Sequence, residues 1–65
     1  MAARGDKVQW RSEHNPNHWF KGKVLYFILP KEPPATSANT LAVIDDGTGL
    51  TPRVIQVSRL HRRHT

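Results

Sequence analysis

Six apolar residues in succession, Val24-Leu-Tyr-Phe-Ile-Leu29, lie between Lys23 and Pro30 of a 65-residue chain. The run is short for a helix and rich in β-branched and aromatic side chains, so Gly22 to Leu29 reads as a strand. Successive side chains of a strand point to opposite faces. Here both sets, Val24/Tyr26/Ile28 and Leu25/Phe27/Leu29, are apolar. A strand on an open sheet with one wet face would carry polar residues on that side. This one asks for cover on both sides, from a sheet folded back on itself or from a partner chain.

Little else in so short a chain can provide that cover. A domain of about 60 residues buries only about 60% of its unfolded surface, and small domains commonly rely on disulfides, metals or oligomerisation. The sequence has no cysteine, which removes disulfides and thiolate metal sites. The start, Met-Ala-Ala-Arg-Gly-Asp, lacks the apolar core of a secretory signal, and the one apolar run is far too short to span a bilayer. The expectation is a cytoplasmic, self-associating protein. Residues 1–4 are expected as a flexible tail, 5–63 as the single domain and 64–65 as a C-terminal tail. Ten Lys/Arg against five Asp/Glu leave +5 with neutral histidines. That balance favours nucleic acid or an acidic protein surface as partner.

Lys7-Val-Gln-Trp-Arg11 alternates polar and apolar residues, as a half-buried first strand does. Ser12 to Asn17 is dense in turn formers. Pro30 to Asn39 carries three prolines and small polar residues, which predicts a long exposed loop and a contact or gating element. Thr40–Asp45 and Arg53–Ser58 read as the third and fourth strands, with Asp46-Gly47 marking the turn between them. Ser58–Leu60 suits one tight helical turn, with a last strand near His61–Arg63. Five short strands without a helical period predict an all-β protein, a small barrel or sandwich, with Trp10, Tyr26 and Phe27 as core. Closure would also remove most exposed strand edges.

The order of these pieces resembles the SH3-like barrel superfamily. Gly5-Asp-Lys-Val8 matches the opening of the first strand, Gly22-Lys-Val24 that of the second, and Val54-Ile-Gln-Val-Ser-Arg-Leu60 the closing segment. The resemblance implies a five-stranded SH3-like barrel whose second strand bends to serve both halves, with a long Pro-rich loop. Within that fold, Gly5-Asp-Lys-Val-Gln-Trp-Arg-Ser12, Gly22-Lys-Val24, Pro52-Arg-Val54 and Leu60-His-Arg62 resemble small phage and prophage proteins. That implies a mobile-element protein, either a binding module or one that binds and inhibits a host protein. A further resemblance is to plasmid-borne type II dihydrofolate reductases, through the Gly-Asp-Lys-Val start and the fourth strand. It implies a homotetramer using NADPH, with Ile55, Gln56, Val57 and Ser58 lining a central pore and Trp19 near the interface. Ser58 stands where that family has tyrosine, and the spacing from Trp19 to Gly22 is one residue longer.

Candidate chemistry is sparse. His14 and His18 have the i, i+4 spacing of zinc ligands on a helix, but Pro16 between them opposes a helix. No metal site is expected. Asp6, Ser12 and His14 supply the residue types of a hydrolytic triad without a rigid frame to orient them. Asp45-Asp46 beside Gly47 reads as turn chemistry. No catalytic residue is assigned, and outside the reductase resemblance no cofactor is expected. The strongest signal is basic: Lys7, Arg11, Lys21, Lys23, Arg53, Arg59, Arg62 and Arg63 are the candidate contacts to nucleic acid or an acidic partner. Trp19 and Phe20 follow a polar loop and are expected to be partly exposed, as an apolar anchor or interface. The reading is a small, basic, non-enzymatic binding module.

Overall fold

A computed structural model describes residues 2–63, and the expected C-terminal tail at 64–65 lies outside the described residues. The fold is all-β. β1 (Lys7–Arg11), β2 (Trp19–Ile28), β3 (Leu41–Asp45) and β4 (Arg53–Gln56) are followed by a 3-10 helix (Val57–Arg59) and by β5 (His61–Arg62). The strands form one antiparallel sheet in the order β4-β3-β2-β1-β5. The chain therefore passes from one edge strand to the other through Val57–Leu60 alone. A flat five-stranded sheet would hold its edges roughly 19 Å apart. Four residues that include a 3-10 turn reach only about 13 Å. The sheet must curl, a geometry compatible with the small barrel expected from the sequence.

The concave side holds the core. Val8, Trp10, Val24, Ala42, Ile44 and Val57 form one buried cluster, with Phe20, Phe27, Ile55, Leu60 and Ala2 packed against it. Trp10 stacks on Phe20 with ring centroids 5.7 Å apart. The alternation of β1 works as its sequence indicates, since Val8 and Trp10 are buried between exposed Lys7 and Arg11. Residues 2–4, expected as a tail, are tied to the body: the Ala3 amide donates to Asp6 Oδ2 at 2.8 Å and Arg4 Nε to the Leu25 carbonyl at 3.1 Å.

β2 departs from the expectation in two ways. It begins at Trp19, three residues before Gly22, because Trp19, Phe20 and Lys21 pair with Arg11, Trp10 and Gln9. It also does not alternate along its whole length. The register to β3 shifts between Val24, opposite Ile44, and Tyr26, opposite Val43. This bulge takes up one residue, so the faces exchange beyond it. Phe27 joins Val24 on the core side, whereas Tyr26 and Ile28 turn outward with 51% and 43% of their surface exposed. Tyr26 is thus not a core residue.

The end of the chain is also divided differently. The fourth strand stops at Gln56, and Val57 and Ser58 belong to the 3-10 helix, which starts one residue earlier than expected. Val57 lies in the core on the same side as Ile55, two residues before it, so the inward face of β4 carries on into the 3-10 helix. The Pro-rich loop is exposed but anchored at its second half. Gln56 Nε2 donates to the Ala38 carbonyl at 2.9 Å, and the Ser58 amide to the Ser37 carbonyl at 2.9 Å. Thr36 and Asn39 exchange side-chain-to-amide bonds that close its final turn.

Candidate nucleic-acid interface

Register decides which of the basic residues meet. On the convex face, opposite to Val8 and Trp10, β1 presents Lys7, Gln9 and Arg11. Their partners on β2 are Lys23, Lys21 and Trp19. β5 continues the same rows: His61 lies beside Gln9, and the Arg63 amide donates to the Lys7 carbonyl at 2.9 Å. Lys7, Lys21, Lys23 and Arg63 line one open cleft of about 310 Å³, together with Gly22, Asp45, Asp46 and Gly47. Asp45 is the cross-strand partner of Lys23. Lys7 and Lys23 stand directly opposite each other, an arrangement that is mildly repulsive without a counter-charge.

The remaining candidates are elsewhere and engaged. Arg53 Nε lies 3.2 Å from Asp46 Oδ2 and its guanidinium 4.8 Å from the centre of the Phe20 ring. Arg59 donates to Glu13 Oε1 at 3.0 Å and to the Arg11 carbonyl at 2.8 Å. Arg62 Nε lies 3.3 Å from Asp6 Oδ2. Of the eight basic residues, these three are paired, whereas Lys7, Arg11, Lys21, Lys23 and Arg63 have no ion pair among the described residues.

The two aromatic candidates part company. As neighbours in a strand they face opposite ways: Phe20 turns inward onto Trp10, and Trp19 turns outward. Phe20 is half-buried like Trp19, but on the opposite face, between Trp10 and the Arg53 guanidinium. Trp19 is half-buried on the basic face, with the Arg11 guanidinium 4.9 Å from its ring centre and the His61 ring edge-on at 5.4 Å. His61 and Gln9 also belong to this face. Their place there depends on β5 pairing with β1, some 50 residues away, which no local pattern announces.

The other candidates take structural parts. Ser12 Oγ accepts the amides of His14 and Asn15, and Asp6 accepts the Ala3 amide, so the triad residues act as turn locks. Asp45 Oδ1 accepts the Gly47 amide, and Asp46 Oδ1 accepts both the amide and the hydroxyl of Thr48. These bonds, the Thr48 hydroxyl first, hold the Asp46 carboxyl below the usual aspartate range. His18 packs edge-on against Phe20. Among the described residues, no three His, Cys, Asp or Glu side chains are grouped as a metal site would need. Of the segment Ile55–Ser58, Ile55 and Val57 pack inward, and Gln56 and Ser58 are exposed. No helix among the described residues is long and apolar enough to cross a membrane. Compared with known proteins, the chain matches no family model, no curated protein and no solved structure.

Proposed function

We propose that this protein is a non-enzymatic nucleic-acid-binding module that uses the convex face of β1, β2 and β5. The observation that carries the reading is the convergence of Lys7, Lys21, Lys23 and Arg63 on one cleft, with Arg11 and Trp19 further along the same face. Four cations outnumber the two carboxylates of this cleft, so a polyanion would supply the balance, and phosphate contacts release condensed counterions. Five unpaired cations predict that affinity for a single strand falls with salt at a log–log slope of roughly −3.5. Fluorescence anisotropy of labelled oligonucleotides from low to moderate salt measures it. The double variant Lys21→Gln/Lys23→Gln should weaken binding and flatten the slope by about 1.4. Lys31→Gln, on the Pro-rich loop, should leave both unchanged. Undetectable binding to any oligonucleotide at low salt would sink the reading and leave an acidic protein surface as the partner to seek.

Self-association has its own support. On the convex side of β2, β3 and β4, Tyr26, Val43 and Val54 form one row and Ile28, Leu41 and Gln56 the next. Tyr26, Ile28 and Val54 remain well exposed there. The two rows carry no charge, whereas the neighbouring face is strongly basic, so a second copy of a chain with net charge +5 meets least repulsion at these rows. Sedimentation at rising concentration should show a dimer that Val54→Lys removes; a monomer at every concentration would exclude it.

A further inference from the structure

Resting on the basic-face reading above, we infer that the ligand is single-stranded nucleic acid and that one of its bases stacks on Trp19. Two features of the face separate a single strand from a duplex. The first is linearity. Trp19, Lys21 and Lys23 occupy alternate positions of one strand, so an aromatic ring and two cations follow one another at about 6.6 Å along a line. Arg11 and Lys7 flank that line on β1 at the matching ends. A single backbone can track such a row while its bases turn toward the protein. In a duplex the bases are already stacked and paired, and a convex sheet face offers no helix or ribbon to enter a groove.

The second feature is the state of the Trp19 ring. It is half-buried, anchored edge-on by His61, and covered on one side by the Arg11 guanidinium at 4.9 Å. Arg11 has no carboxylate partner among the described residues. Arg11 is a flat cation on a flexible stem, occupying the position over the ring that a base would take. It moves onto a phosphate when a base replaces it, so ring and charge both gain a ligand group in one step. Phe20 also lies under an arginine, but it faces away from the basic row, its ring stacks on Trp10, and its Arg53 is paired with Asp46.

The two tryptophans make the test direct, since Trp10 is 2% exposed and Trp19 lies on the binding face. Tryptophan emission is followed while the wild-type chain is titrated with oligo(dT), with an abasic oligonucleotide of equal length, and with a duplex. Stacking predicts quenching by oligo(dT). The abasic strand and the duplex should bind about ten- to a hundred-fold more weakly and leave the emission nearly unchanged. Trp19→Ala should reduce oligo(dT) affinity to that of the abasic strand, and Trp19→Phe, which keeps a ring, should restore most of it. Circular dichroism establishes that each variant is folded. Equal affinity for oligo(dT) and the abasic strand, or tight binding without quenching, overturns the inference while the basic-face reading stands. No binding to any of the three overturns both.

Discussion

Gly22 sits in the middle of β2 with β3 pressed against it. A Cβ at this position would lie 2.7 Å from the Asp45 carbonyl oxygen and would collide with Ile44 Cγ2. The methyl of Ile44 could shift, but the backbone of β3 could not without breaking its own pairing. Gly22→Ala is therefore expected to cost about 1–3 kcal/mol, as overpacking does, read from the urea midpoint. A loss under about 0.5 kcal/mol, the range of ordinary surface changes, would mean that the strands are less closely apposed than the geometry states. Asp46 makes a different kind of contribution. Its carboxyl is held low by the Thr48 hydroxyl, the Thr48 amide and Arg53. A group with a depressed folded-state value stabilises fully above its unfolded value, near about pH 4 for aspartate, and the stabilisation is lost as pH falls through the folded value. Asp46→Asn should thus be less stable than wild type at neutral pH and nearly equal to it at about pH 2, where the carboxyl is protonated in both states. Urea midpoints across that range check the convergence; a constant difference at all pH values would remove the carboxylate from the account.

The bulge in β2 sets which apolar residues the body can use. A regular strand would place Tyr26 beside Val24 on the core side and turn Phe27 outward. With one residue taken up between Val24 and Tyr26, Phe27 packs on the core and Tyr26 stands out beside Val43. The contrast is measurable. Phe27→Ala should lose about 2–3 kcal/mol, somewhat less than a fully buried phenylalanine, whereas Tyr26→Ala should lose well under half of that. The reverse order would place the bulge wrongly. The same bend turns the second half of β2 toward β3 and β4, leaving its first half with β1 to carry the basic face.

Charge is unevenly spread over the molecule. Asp6, Glu13 and Asp46 are each spent on one arginine, and the convex face of β1, β2 and β5 keeps its cations unpaired. Such a face works against the free protein. Lys7→Gln should raise stability at low salt by about 0.3 kcal/mol, because it relieves the repulsion with Lys23, and the gain should fade as salt screens the pair. The same substitution should weaken oligonucleotide binding. Thermal midpoints at low and high salt, set beside binding curves, give both readouts, and a destabilising Lys7→Gln would show that the lysine stem packs more than its charge repels.

Strand content, most turns and the need to cover a doubly apolar segment could be read from local pattern, because alternation, Gly/Pro placement and side-chain bulk act over a few residues. β1 at Lys7–Arg11 is a clear instance, and the Asp45-Asp46-Gly47 turn is another. The direction of each side chain beyond the bulge was not legible, since a one-residue shift against β3 leaves no mark in the run Val24–Leu29 itself. Nor was the membership of the basic face. Composition alone showed that cations exceed carboxylates; it could not show that Arg53, Arg59 and Arg62 would find partners and that Lys7, Lys21, Lys23 and Arg63 would gather on one cleft. Which charges pair and which are left facing solvent depends on contacts between residues up to 56 positions apart, Asp6 with Arg62 among them, and those distances exist only once the sheet has curled.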